Sequence, residues 1–378
     1  MTESKINIVV DGAIFHRQSH GGISRIYQEV LPRIVDLESS IHVDLLMYGH
    51  PRQGLPNHPR IEIHRLPIET WIRPRRVLTP IFNLVKTAHQ HAMIDRRARR
   101  IWHSTYYTRP LSFNGPKVLL VPDMLHEIFP ELFTTREERE FRAIKRRCIL
   151  EADAVLCISQ TTREDVLRFN PELDPERVSI VPLAHSKSFR PLPERPAKEV
   201  ASRQKPFILT FGSINAYKGF DTAVRAYRKW GRRHDIELAV VGGGFTEDEI
   251  RKLRSPEENG TVQLLKPVDD EELRALYTSA EAFLFPSLYE GFGIPLLESM
   301  ACGCPVVASR IPATIEVAGE VPTYFEPGDH SSLIDALEVV IGSGRHNPAI
   351  EQGMAHARRF SWDETARIIL GTYMRLLG

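Results

Sequence analysis

Short apolar, β-branched runs alternate with longer stretches of helical periodicity along almost the whole chain. In the first half the strand-like runs are 6–10, 43–47, 61–65, 118–121, 154–158 and 178–181, and helical spacing marks 23–35, 79–100, 136–151 and 160–169. The second half restarts the alternation with runs at 207–211, 237–241, 262–265, 282–285, 305–308 and 323–325. Apolar runs of four to six residues separated by helices are the pattern of parallel sheets wound with helices on both faces, so the chain is expected to be α/β with two doubly wound domains. Between them, 189–206 is rich in proline and charge and has no apolar period, the composition of a surface linker. The expected division is 1–194, 195–360 and a last helix, 361–378, open to packing back on the N-terminal domain.

Length and charge sharpen this reading. A chain of 378 residues with 42% hydrophobic and 26% charged residues is long enough for two cores, and its formal charge of +1 argues against a nucleic-acid partner. The total averages two unlike halves: residues 1–200 hold 30 Lys and Arg against 24 Asp and Glu, whereas 201–378 hold 19 against 24. The basic excess gathers at Arg73, Arg75 and Arg76, at Arg96, Arg97, Arg99 and Arg100, and at Lys145, Arg146 and Arg147. If these shared a surface they would favour an anionic membrane or an anionic acceptor; the other reading is ordinary solvated helix faces. Four cysteines, Cys148, Cys157, Cys302 and Cys304, fit neither a disulfide framework nor a zinc site and point to a reducing compartment. Residues 1–5 lack a signal pattern and no run reaches the 18 apolar residues of a membrane span. The expectation is a cytoplasmic protein, with peripheral association at an inner membrane face left open.

The most informative stretch is 282–309, AFLFPSLYEGFGIPLLESMACGCPVVAS, which reads as strand, loop, helix and strand. Ligands of open α/β sheets bind beyond the carboxyl ends of strands, which puts 287–293 at a binding mouth. Its glycines admit close backbone approach, and the amides opening the next helix favour an anion. Glu290 and Glu298 flank that turn, and carboxylates accept paired hydrogen bonds from vicinal diols such as sugar or ribose hydroxyls.

Glu290-Gly-Phe-Gly-Ile-Pro-Leu-Leu-Glu298 resembles the E-x7-E signature of retaining glycosyltransferases of the GT-B fold, family 4 (group 1), a grouping with many bacterial mannosyltransferases. The resemblance implies two Rossmann-like doubly wound domains facing across a cleft. It implies that Glu298 holds the donor ribose, that Glu290 contacts the transferred sugar, and that Gly291 and the amides of Phe292, Gly293 and Ile294 lie against the sugar or diphosphate. After the run 207–211, Gly212-Ser213-Ile-Asn-Ala-Tyr-Lys218-Gly219 is similar to the family's glycine-to-Lys-Gly loop, with Lys218 as the cation for the diphosphate. Ser213 stands where the commoner pattern has an arginine. Val268, within 265–273, falls in the segment whose main chain reads the nucleobase in the family.

In the first half, Gly21-Gly22 resembles the family's glycine turn at a helix start, with Gly22 on the donor phosphate or acceptor and Arg25 a candidate replacement cation. Further likeness is seen at His103-Ser-Thr-Tyr-Tyr, at Val121-Pro122-Asp123-Met-Leu-His126-Glu127 and at Ile158-Ser159. Pro122 replaces a histidine of many relatives, which leaves His126 and His103 as substitutes and Asp123 to position an acceptor hydroxyl. Val241-Gly242-Gly243-Gly244 lacks the full dinucleotide spacing and reads as a tight turn.

The resemblance implies a hexosyltransferase that retains anomeric configuration, with mannose the favoured sugar, a GDP- or UDP-linked nucleotide sugar as co-substrate, no separate cofactor and no metal. The acceptor expected is a saccharide, or a lipid-diphosphate-linked saccharide, in surface polysaccharide assembly. Two other readings remain: an epimerase or hydrolase on the same fold, and a non-catalytic nucleotide-sugar binding protein. Among the candidates, Glu290, Lys218, Asp123 and His126 form the catalytic set, and Gly22, Gly212, Ser213, Lys218, Val268, Glu290, Gly291, Phe292, Gly293, Ile294 and Glu298 the donor set.

Overall fold

The computed structural model describes residues 5–17, 22–52, 54–66, 99–110, 113–193, 205–212, 216–243, 245, 247–254, 262–344 and 347–378. They form two compact units: residues 1–183 together with 362–378, and residues 184–361. Gly21, Ser213, Gly244, the basic residues Arg73, Arg75, Arg76, Arg96 and Arg97, and the expected helix 79–100 up to residue 98 lie outside the described residues.

The sheet of the first unit contains β1 (Ile6–Asp11), β2 (Ile41–Tyr48), β3 (Ile61–Leu66), β4 (Arg99–Ser104), β5 (Lys117–Val121), β6 (Ala154–Cys157) and β7 (Val178–Ile180). Its described strands run in the order β3-β2-β1-β4-β5-β6-β7, with parallel pairing between neighbours. All six residues of β1 are buried, as expected of a strand inside a parallel sheet, between β2 and β4. Arg99 and Arg100 open β4 and are not part of a helix, which corrects the expectation for the end of 79–100. The polar string Arg-Arg-Ile-Trp-His-Ser hid this strand, whose last four residues are buried.

The helix Gly22–Leu37 covers one face of this sheet through Ile26, Tyr27, Val30, Leu31, Ile34 and Val35. The C-terminal helix Trp362–Leu377 packs on it, burying Trp362, Ala366, Ile369 and Tyr373. Polar contacts fix that packing: Arg33 Nε donates to Asp363 at 2.9 Å and Thr365 Oγ1 donates to the Pro182 carbonyl at 2.6 Å. A second apolar cluster, including Leu119, Val121, Cys148, Ile149, Val155, Cys157 and Val166, holds the helix Arg136–Glu151 to β5 and β6. That helix starts at a reciprocal cap in which the Thr135 hydroxyl accepts from the Glu138 amide and the Glu138 carboxylate accepts from the Thr135 amide.

The second unit repeats the plan with β8 (Phe207–Gly212), β9 (Glu237–Gly242), β10 (Val262–Leu265), β11 (Ala282–Phe285), β12 (Val306–Ser309) and β13 (Thr323–Phe325). The order is β10-β9-β8-β11-β12-β13, again parallel. Its core joins Ile208, Leu238, Val240, Leu284 and Val307 to Tyr227 and Trp230 of one flanking helix end and Leu333, Leu337 and Val340 of another. In each unit the first strand lies between the second and fourth, so the winding direction reverses there: between β1 and β4, and between β8 and β11. Chains leaving two such strands diverge to opposite faces and open a crevice at the carboxyl edge, where ligands of doubly wound folds bind.

Candidate active site

The loops leaving β8 and β11 meet at the reversal point of the second unit. The β8 loop ends in a short 3-10 turn, Ala216–Lys218, and Gly219 begins the helix Phe220–Lys229. Gly219 has φ +65°, a left-handed conformation, and a Cβ there would lie 1.9 Å from the Pro286 carbonyl oxygen of the β11 loop. Only glycine allows this approach. Beside it, the Leu288 amide donates to the Tyr217 carbonyl at 2.7 Å and ties the two loops together.

This seam delivers Lys218 to Glu290. Lys218 Nζ donates to Glu290 Oε1 at 2.8 Å, with side-chain exposures of 33% and 13%. The buried Ser287 hydroxyl donates to the same oxygen at 2.6 Å. Two residues 72 apart in sequence are thereby joined through the pairing of β8 with β11. Gly293, at φ +111°, caps the helix Ile294–Ala301 without a side chain; in its first turn Pro295 carries no amide hydrogen and the Leu296 amide donates to the Gly293 carbonyl at 3.0 Å. Gly291 and Phe292 are buried ahead of it, with the Phe292 ring edge-on to Phe360.

Glu298 sits inside that helix and is 4% exposed. Its charge raises the Tyr277 hydroxyl pKa beyond what burial, the largest cause, already does, and it acts likewise on Cys302 after burial. The Cys302 thiol is pushed up to about 12. Gly212 closes β8 opposite Gly242 of β9, while Val268 precedes the helix Asp270–Ser279, whose Asp269 cap accepts from the Glu271 and Glu272 amides. Lys218, Glu290 and the 291–294 turn are thus brought together at one mouth.

In the first unit, the reversal between β1 and β4 is organised by a residue that sequence reasoning missed. Asp11, 3% exposed at the end of β1, accepts hydrogen bonds from the Ala13 amide (2.9 Å), the Thr105 amide (2.8 Å), the Thr105 hydroxyl (3.0 Å) and the Thr108 hydroxyl. An acid ending an apolar strand was the available signal. Tyr107 in the loop it holds adopts φ +50°, an uncommon conformation for a bulky residue. Gly22 opens the helix Gly22–Leu37 nearby in sequence, at an exposed position.

Asp123 and His126 follow β5, one strand beyond. Asp123 Oδ1 accepts from the Leu125 amide at 3.0 Å and its carbonyl accepts from Lys145 Nζ at 2.8 Å. Lys145, 1% exposed, also pairs with Glu127 at 2.8 Å and lies 5.5 Å from the Tyr107 ring centroid. Of the basic run 145–147, Lys145 is corrected, being buried; Arg146 and Arg147 are exposed, as on a solvated helix face, the first paired with Glu172 and the second with Glu151, the latter pair at 2.8 Å. His126 rests against Phe133 and Phe141, with centroids 4.2 and 4.9 Å away. Burial first, then the Lys145 charge, lowers its pKa. His103 is enclosed: Nδ1 is 2.5 Å from the Tyr373 hydroxyl, Nε2 is 3.4 Å from Tyr27, and burial lowers its pKa to about 3. It is a neutral structural histidine. Asp44, Glu62 and His64 cluster on β2 and β3, where Asp44 already accepts from Asn7 and bonds His64 at 2.8 Å.

Two doubly wound parallel units in one chain are the architecture of GT-B proteins. Comparison with solved structures agrees: sucrose-phosphate synthase of Thermosynechococcus elongatus superposes with a TM-score of 0.76 over 98% of this chain and 99% of that one at 20% identity. HepE of Anabaena, solved with UDP-glucose, gives 0.71 over 99% and 100% at 16% identity. Residues 193–352, which lie within the second unit, match the model of the family described as glycosyl transferases group 1. Among characterised proteins, O-antigen chain mannosyltransferase B of Escherichia coli is 28% identical over 237 residues, 60% of this chain and 61% of its own length. The chain spans from about a third to three fifths of the length of the curated relatives it matches.

Proposed function

We propose that the protein is a retaining, metal-independent hexosyltransferase that moves mannose from a GDP- or UDP-linked donor to a saccharide or lipid-diphosphate-linked saccharide in surface polysaccharide assembly. The observation that carries this reading is the Lys218–Glu290 pair at the reversal point. A cation and a carboxylate side by side suit the two halves of a nucleotide sugar: the ammonium for the diphosphate, the carboxylate for sugar hydroxyls. Glu298 then takes the ribose hydroxyls, the 291–294 turn lies along the diphosphate, and Val268 lies beside the base.

In the reaction the bond from the anomeric carbon to the β-phosphate oxygen breaks, and a bond to the acceptor oxygen forms on the same face. The acceptor proton passes to the leaving phosphate. Negative charge grows on that phosphate, where Lys218, turned from Glu290, and the backbone of the 291–294 turn stabilise it. Lys218 supplies the positive charge that a divalent ion would otherwise provide. Asp123 and His126 serve the acceptor side, with His126 kept neutral and able to accept a hydrogen bond from an acceptor hydroxyl. Mannose is favoured by the likeness to O-antigen chain mannosyltransferase B, and a nucleotide sugar as the ligand class by the UDP-glucose bound to HepE.

The test is turnover of labelled GDP-mannose and UDP-hexoses with mannosyl oligosaccharide acceptors, in chelator, with the product anomer read by NMR. Transfer giving an α-linked product from an α-linked donor is expected. An inverted product refutes retention, loss of transfer in chelator refutes metal independence, and free hexose as the only product favours a hydrolase. Action at the inner face of a membrane is tested by flotation with anionic vesicles, where failure to bind at low salt removes the membrane without touching the transfer.

A further inference from the structure

We infer that Ser287 is a positioning residue that holds Glu290 on the sugar once Lys218 has turned to the diphosphate; this rests on the donor-site reading above. Glu290 Oε1 accepts two hydrogen bonds here, from Lys218 Nζ at 2.8 Å and from Ser287 Oγ at 2.6 Å. Oε2 has no protein partner among the described residues and is the oxygen left for a sugar hydroxyl. The two donors differ in freedom. Lys218 is a long side chain, one-third exposed, whose charge is claimed by a dianionic ligand when one arrives. Ser287 is 2% exposed, with one side-chain torsion, in the loop pinned by the Leu288 to Tyr217 hydrogen bond and by the contact of Gly219 with Pro286.

A carboxylate held by Lys218 alone would be free to rotate once the donor claimed that lysine, and freedom at the reacting centre is costly in rate. Ser287 prevents that. Its hydroxyl has no need to touch the substrate. It fixes the rotamer of the group that does, and it keeps one oxygen occupied so that the other presents a defined direction. A hydrogen bond to a charged group of this kind is worth about 10- to 100-fold in an equilibrium or rate.

The experiment compares native protein, Ser287→Ala, Ser287→Thr and Glu290→Gln, using GDP, UDP, GDP-mannose and UDP-glucose as probes by calorimetry, together with donor turnover and melting temperature. Ser287→Ala is expected to bind the bare nucleoside diphosphate within twofold of native while kcat falls about 10- to 100-fold, and the extra affinity of the sugar nucleotide over the bare nucleotide shrinks. Ser287→Thr, which keeps the hydroxyl, is expected to regain most of kcat. Native kcat in Ser287→Ala overturns the inference. So does loss of diphosphate affinity in step with kcat, which marks general damage, and so does a Ser287→Thr no better than Ser287→Ala. Native turnover in Glu290→Gln, or binding of none of the four probes, overturns the donor-site reading itself.

Discussion

Gly219→Ala is the sharpest perturbation of the proposed site, because it adds one carbon to the seam and removes no functional group. Alanine at φ +65° costs about 1 to 2 kcal/mol. Its Cβ would stand 1.9 Å from the Pro286 oxygen and 2.8 Å from the Pro286 carbonyl carbon, both backbone atoms that cannot swing aside. Reaching a tolerable separation of about 3 Å forces the two loops apart by roughly 1 Å. The neighbouring Leu288 to Tyr217 hydrogen bond, now 2.7 Å, would stretch beyond useful length and forfeit about 1 kcal/mol. Local stability should thus fall by about 2 to 3 kcal/mol, and a displacement of this size between Lys218 and Glu290 should cost about 100-fold in donor turnover. The assay is kcat/KM for the donor, alongside nucleoside diphosphate affinity and the thermal midpoint. Gly231→Ala, where a Cβ meets nothing within 4 Å, is the control. A Gly219→Ala protein within threefold of native kcat/KM would refute the claim that this seam sets the site.

Other consequences follow from buried groups. Burial lowers the His103 pKa to about 3, so between pH 3 and 6.5 the unfolded chain takes up a proton that the folded chain refuses. That contribution to stability is complete above pH 6.5 and is lost as pH falls towards 3, with a slope of at most about 1.4 kcal/mol per pH unit; His103→Gln should flatten the melting curve against pH between 4 and 6, and an unchanged slope contradicts it. Lys145→Met strands the Glu127 carboxylate and should destabilise by about 3 to 5 kcal/mol in urea unfolding, with Glu127→Gln added to it recovering part; a single variant as stable as native contradicts the pairing. All four cysteines are buried, and the Cys302 thiol is pushed up to about 12 by burial and then Glu298. The folded protein should therefore resist a disulfide reagent at pH 8 until denatured, and rapid labelling of native protein refutes this.

The alternation of strands and helices was legible because parallel strands buried on both faces tolerate few polar residues, as in β1 and β11. β4 broke that rule and went unread. His103 and Ser104 are buried and polar, and partners for them come from Tyr373 and Thr108, one of which is 270 residues away. Lys145 looked like one of three surface cations because spacing along a helix says nothing about Glu127, which arrives from a different segment. The Glu290 and Lys218 motifs were each visible in the sequence, but their meeting depends on β8 lying beside β11, a property of strand order that neither motif encodes. Asp11, one residue past the run 6–10, and Ser287, within 282–309, escaped notice for a related reason: a short polar side chain acquires its role only when its hydrogen-bond partners are placed around it.

The central claim is that the mouth built by Lys218, Glu290 and the 291–294 turn, with Glu298 behind it, takes a nucleotide sugar. A thermal-shift panel of GDP, UDP and ADP with their hexose conjugates tests it most directly, because a ligand bound only by the folded state at 100 times its Kd adds about 2.7 kcal/mol to stability. A clear rise in midpoint is expected with GDP or UDP and with the matching sugar nucleotide, reduced in Glu298→Ala. No shift with any nucleotide, or a full shift retained in Glu298→Ala, would contradict it.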